Sequence, residues 1–296
     1  MLSEIFKLFW KTVERKDARR INSQTPPTEI EQFCDIQYID DGLWQHRLDV
    51  YSKSGKLSHR PVIIDIHGGG WMYGTKEINK NYCLVLTLND YVVVNINYRL
   101  APDFSVADQL RDCFFAFKWV STNIEKYCGD LNNVFVTGDS AGGFLAAYSA
   151  LLNSSEKLRK IFGVTESGLE FRACGLTSPV CFMNTHTFQD VYYSRVKGKE
   201  FSESTLRGFE NFDAVINMGS MPPTFLVTSS GDTIGRLPTI KMYNLLCGEG
   251  VKCKLENNGK NLPHVFSVID PFSVPGKETI SDMLGFFSDY VKSRCK

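Results

Sequence analysis

Val134-Phe135-Val136-Thr137-Gly138-Asp139-Ser140-Ala141-Gly142-Gly143 reads as a strand, a tight turn and the start of a helix. A β-branched and aromatic run stops at a glycine, and the alanine- and glycine-rich segment from Ala141 to Leu152 suits a helix packed close to a sheet. The turn has the G-x-S-x-G form, in which a strained backbone holds a serine hydroxyl up at the sheet edge. Upstream, Val62-Ile63-Ile64-Asp65-Ile66 is a second buried strand, running directly into His67-Gly68-Gly69-Gly70-Trp71. Backbone N–H groups of such a loop face the place where negative charge develops on a carbonyl oxygen.

Outward from these two points the chain alternates short β-rich runs with longer helical ones, which predicts an α/β fold with a mostly parallel sheet and helices on both faces. Asp35 to Ile39 and Trp44 to Tyr51, separated by Asp40-Asp41-Gly42, predict an antiparallel edge. Tyr91 to Asn97, Arg172 to Thr177, Thr224 to Ser229 and Val251 to Glu256 complete the strands, and helices are expected at Val106 to Tyr127, Pro238 to Cys247 and Thr279 to Lys292. A single domain over residues 1–296 is expected. It would carry a helical segment over 1–30 and a cap-like, partly helical insertion over 180–220, where strand patterning breaks down.

In the first segment Leu2, Ile5, Phe6, Phe9, Trp10 and Val13 share one side of a helix opposite Glu4, Lys7 and Lys11. Packing on its own domain, a lid over the active site and shallow membrane contact are three readings of that face. Glu4 and Lys7 interrupt the apolar run, which argues against a signal peptide or a membrane span.

The 33 basic and 33 acidic side chains cancel, with no block of like charge to attract nucleic acid or anionic lipid. A small-molecule partner is expected, with no nucleic acid and no stable membrane insertion; the oligomeric state stays open, a homodimer among the options. Nine cysteines, an odd number without a C-x-x-C pair, read as reduced thiols of a cytoplasmic protein. The glycine loop lacks the lysine and threonine of a phosphate loop and no G-x-G-x-x-G follows a strand, so neither cofactor nor metal is expected.

A serine hydroxyl is a weak nucleophile and needs a base, which in turn needs an acid to fix its tautomer. Of the five histidines, His46 falls in an early strand, His59 in an exposed loop, His186 in the insertion, and His67 opens the glycine loop, where it is expected to brace the backbone. His264 alone follows the last strand, in Leu262-Pro263-His264-Val265-Phe266, where a loop can bring an imidazole to Ser140. Asp232 emerges after Thr224 to Ser229 at the same sheet edge; Asp270 is a rival out of order. The expected catalytic set is therefore Ser140, Asp232 and His264, with Gly68, Gly69 and Ala141 N–H groups as the oxyanion hole. Trp71, Tyr73, Phe104, Phe182 and Val265 flank the motifs and are expected to line the substrate pocket.

His67 to Trp71, Tyr98-Arg99-Leu100-Ala101-Pro102, Gly138 to Gly143 and Leu48-Asp49-Val50-Tyr51 together resemble the hormone-sensitive-lipase-like family of α/β-hydrolase esterases. The resemblance covers roughly residues 44–292. It implies an α/β-hydrolase fold and a serine carboxylesterase acting on short acyl esters through an acyl-enzyme, with the same triad and loop roles by position. Formamide hydrolysis resembling that of kynurenine formamidases, carbohydrate deacetylation and a non-catalytic small-molecule receptor are the alternatives. Two departures stand out: only 66 residues precede His67, implying a slight cap, and Thr233-Ile234 follow the acid where proline and leucine are usual.

Overall fold

Strict alternation along the central strands divides the apolar side chains between two layers. In the computed structural model, which describes residues 2–54, 59–183, 190–203, 206–215 and 220–293, Val62, Ile64 and Ile66 join one layer and Ile63 the other. Val92, Val94 and Ile96 are likewise separated from Val93, and Val134 and Val136 from Phe135. Burial on both faces is what a parallel sheet sandwiched by helices requires.

The strands are β1 (Ile30–Gln37), β2 (Arg47–Lys53), β3 (Arg60–Ile66), β4 (Val92–Ile96), β5 (Gly129–Asp139), β6 (Phe171–Thr177), β7 (Thr224–Ser229) and β8 (Cys253–Asn258). They form one sheet in the order β1-β2-β4-β3-β5-β6-β7-β8. Only the β1/β2 and β2/β4 pairings are antiparallel. The helices are α1 (Leu2–Ser23), α2 (Lys80–Leu88), α3 (Val106–Asn123), α4 (Ser140–Asn153), α5 (Glu156–Phe162), α6 (Asp190–Glu203), α7 (Arg236–Gly248), α8 (Phe266–Ile269) and α9 (Val274–Ser288). Side chains of α3, α4 and α7 build one layer and those of α2 and α9 the other.

Several boundaries depart from the sequence reading for identifiable reasons. The antiparallel edge exists, but its connection runs over residues 38–46, because Asp41 turns the chain by accepting from Leu43 N–H (3.0 Å) and pairing with His46. A capping box between Ser105 and Asp108 starts α3. The helix ends at Asn123, four residues of 3₁₀ helix follow, and Cys128 reverses the chain at φ 68°. β8 begins at Cys253 because Gly250 sits at φ 76° and Val251 N–H still bonds back to Leu246 O (3.0 Å). Ser273 caps α9, with a proline in its first turn, so this helix starts five residues before Thr279. α2 and α5 were not anticipated.

The loops after β3, β5 and β7 all open at the carboxyl ends of their strands, carrying His67, Ser140 and Asp232 to one edge. Within 180–220 the described residues include α6, which breaks at Gly198, a short 3₁₀ turn at Phe212–Ala214 and a bridge between Phe182 and Asn211. Among the described residues no helix is long and apolar enough to cross a membrane.

Phe135 of β5 stacks on Phe287 of α9 with ring centroids 4.6 Å apart, both fully buried. Truncating Phe287 to alanine removes this helix-to-sheet stack and is expected to cost about 3–5 kcal/mol in urea unfolding; a loss below about 1 kcal/mol contradicts this packing.

Candidate active site

Ser140 occupies the first turn of α4 at φ 52°, a left-handed conformation uncommon for a residue with a side chain. That strain lifts its hydroxyl toward His264, whose Nε2 lies 2.9 Å from Ser140 Oγ. His264 Nδ1 lies 2.8 Å from Asp232 Oδ1. Since a carboxylate only accepts, Nδ1 carries the proton and Nε2 is left to accept from the serine. Asp232 is 2% exposed and also accepts from Ile234 N–H (3.0 Å) and Gly235 N–H (2.7 Å). Burial alone would raise its pKa; the His264 hydrogen bond and charge and the Gly235 N–H outweigh it and hold the carboxyl well below the usual range.

The other histidines are placed elsewhere. His46 precedes β2 instead of lying within a strand, and it is clamped between Asp41 (2.6 Å) and Asp112 (3.2 Å). His59 is exposed, and His186 lies outside the described residues. His67 is fully buried and its pKa is pushed down to about 4 by desolvation, so the imidazole is neutral. Its Nδ1–H donates to Gly68 O (2.7 Å), its ring stacks on Tyr98 at 4.4 Å, and the Tyr98 hydroxyl donates to His67 O (2.8 Å).

Gly68 departs from its expected role. Its N–H donates to Asp139 Oδ1 at 3.0 Å, so that proton is engaged inside the protein instead of facing a reacting oxygen. Gly69 and Gly70 instead line the cavity that contains Ser140. Gly69 holds φ 114°, and a Cβ there would lie 2.0 Å from Tyr73 O, so no other residue fits. Tyr192 of α6 donates from its hydroxyl to Gly70 O (2.5 Å). Ala141 is fully buried and follows Ser140 at the start of α4, where a first-turn N–H has no partner within the helix.

Beneath the loop lie two buried carboxyls, Asp139 and Asp65, joined by Asn79. Its Nδ2 donates to Asp139 Oδ1 (2.8 Å) and Asp65 Oδ2 (2.9 Å). Asp65 also accepts from Thr137 Oγ1 (2.9 Å) and lies near the Cys83 thiol. Burial, reinforced by the charge of Asp139, pushes Asp65 up to about 7. Burial raises Asp139 too, against the opposing Asn79 and Gly68 bonds. Neither Asp139, at the variable position of the serine motif, nor Asn79 was singled out in the sequence.

The cavity around Ser140 and His264 encloses about 530 Å³. Trp71, Tyr73 and Val265 line it as expected, joined by Phe6, Trp10 and Val13 of α1 and by Tyr192 and Tyr193 of α6. Phe104 lines a neighbouring cavity instead. Phe182 is 8% exposed and packs into the core with Lys241 Nζ 3.8 Å from its ring centre, so it is not a pocket residue. Among the described residues no cluster of ligating side chains offers a metal site.

The BD-FAE family model matches residues 48–193. Esterase B from Lactobacillus rhamnosis superposes with a TM-score of 0.92 at 28% identity, over 98% of this chain and 95% of its own. The chain has the α/β-hydrolase fold and is similar to esterases of the hormone-sensitive-lipase-like kind. The chain is also 25% identical to carboxylesterase NlhH of Mycobacterium tuberculosis over 256 residues, covering 83% of the chain and 79% of the relative. A stretch of 112 residues, 38% of the chain, is 34% identical to versiconal hemiacetal acetate esterase of Dothistroma septosporum, of whose length the match spans 33%.

The buried carboxyl pair yields a pH prediction. Folded Asp65 keeps its proton to about pH 7, whereas an unfolded aspartate releases it near 3.9 or so. Stability from this group is therefore complete below about pH 4 and declines as pH rises through 7. Asp65→Asn abolishes that decline: relative to wild type, its thermal midpoint should gain about 4 °C between pH 5 and pH 8. Parallel curves for the two proteins contradict the shift.

Proposed function

We propose that the hydrolase is a serine carboxylesterase that cleaves short-chain acyl esters in two steps. The observation that carries this reading is the unbroken relay from Ser140 Oγ through His264 to Asp232, at 2.9 and 2.8 Å, opening on the cavity lined by Gly69 and Gly70. Ser140 Oγ attacks the ester carbonyl as His264 Nε2 takes its proton. His264 then passes that proton to the leaving alkoxide, and water admitted on the emptied side repeats the cycle on the acyl-enzyme. Asp232 holds the imidazole in the tautomer required and stabilises the imidazolium.

The oxyanion receives N–H groups from Gly69, Gly70 and Ala141; each such donor is typically worth about 3 to 4 kcal/mol in the transition state. Neutral His67 and Tyr98 keep the loop backbone rigid, so these donors need no rearrangement as charge develops. The predominantly apolar cavity favours an uncharged acyl chain, and the chain's overall likeness to Esterase B, studied with a C4-C4 tributyrin phosphonate, supports short acyl esters. A cytoplasmic setting is proposed on the sequence pattern of nine cysteines, an odd number without a C-x-x-C pair.

Hydrolysis of p-nitrophenyl butyrate tests the reading. Ser140→Ala is expected to lose on the order of a million-fold in kcat, and Asp232→Asn about 10⁴-fold because the imidazole then adopts the wrong tautomer. Activity within tenfold of wild type in Ser140→Ala would discard the assignment.

A further inference from the structure

Beside the cavity that holds Ser140 lies a larger one of about 660 Å³ that does not reach the serine. The two share five lining residues, Phe6, Trp10, Asp17, Tyr73 and Ile78, so a single layer of side chains separates them. The centre of that layer is Trp10 of α1, whose indole stacks on Tyr73 with centroids 5.2 Å apart and planes 12° from parallel. The same indole presses on the glycine loop: a Cβ at Gly70 would lie 2.5 Å from it. Beyond the partition the walls include Trp44, Met72, Leu100 and Phe104, with charges of both signs from Lys11, Glu14, Asp103 and Arg195.

The two ends of α1 are held differently. Toward its C-terminus, Arg20 donates to Ile78 O (3.0 Å) and Ile269 O (3.1 Å), and Asp17 accepts from the Tyr73 hydroxyl (3.1 Å). Toward its N-terminus the described side chains include ring contacts, Phe6 against Tyr192 and Trp10 against Tyr73. Phe9, on the next position, is 55% exposed although it lines the serine cavity. Stacked rings re-form in new arrangements more readily than an arginine clamped on two carbonyls.

We propose that the second cavity is a distal chamber of the same site, closed off by Trp10 on Tyr73, and that it receives the far end of a long or bulky uncharged ester when the indole turns aside. The proposal rests on the esterase reading and extends it, making Trp10 a specificity-determining residue. The mixed charges on the outer wall give no net preference for an ionic group, and the aromatic and aliphatic lining near the partition suits hydrocarbon.

The test is a pair of substrate series, p-nitrophenyl acyl esters from butyrate to laurate and alkyl acetates from butyl to dodecyl, on wild type, Trp10→Ala, Trp10→Phe and Tyr73→Ala. Rates are normalised to sites titrated by an alkyl fluorophosphonate, so partial misfolding does not enter the comparison. Trp10→Ala should raise the long-to-short ratio of kcat/KM by about tenfold or more in at least one series. Tyr73→Ala, which removes the other half of the partition, should shift the same series, and Trp10→Phe should shift it less. An unmoved ratio in both series for titratable Trp10→Ala and Tyr73→Ala enzymes overturns the proposal alone. Failure of wild type to be labelled or to turn over any ester overturns the esterase reading and this proposal with it.

Discussion

The hydrogen bond from Gly68 N–H to the buried Asp139 carboxyl ties the two glycine-rich segments into one object. Placing a carboxyl there is costly in desolvation, and the cost is tolerable only because Gly68 N–H and Asn79 Nδ2 both point at it. The consequence is geometric. With Gly68 fixed from below, the loop climbs through Gly69 at φ 114° and Gly70 at φ 58°, bringing these residues to the cavity beside Ser140. The serine elbow and the glycine loop are thus positioned by the same residue, which stands next to the nucleophile in the chain.

Elements distant in sequence are fastened to this object from above. Tyr192 of α6 holds the carbonyl of Gly70, and Arg20 of α1 bridges the segment after the glycine loop to the one after His264. The sheet sets the strand ends, but the orientation of the loop and of the imidazole-bearing segment depends on side chains that reach in from α1 and α6. Such multiple support is how a preorganised site avoids rearrangement during the reaction.

Much of this was legible in the sequence, and the reasons differ by element. Strands β3, β4 and β5 were readable because burial on both faces demands unbroken apolar runs, and Ser140, Asp232 and His264 because each follows a strand end. The triad geometry agrees with that order. α2 and α5 escaped because they are short, nine and seven residues, and neither has a long amphipathic repeat. The Gly68 assignment failed for a different cause: three successive glycines are equivalent as letters, and only the partner of each N–H distinguishes them. Phe104 and Phe182 show the same limit for aromatics, since nearness to a motif in the chain does not say which side of a wall a ring occupies.

The most direct measurement is a crystal structure of the protein inactivated by an alkyl phosphonate, whose phosphoryl oxygen stands where the ester oxyanion forms. The expected result is a phosphorus bonded to Ser140 Oγ, with that oxygen about 3 Å from the N–H groups of Gly69, Gly70 and Ala141 while Gly68 N–H remains on Asp139. A phosphoryl oxygen bound by Gly68 N–H, with the Asp139 bond broken, would contradict it.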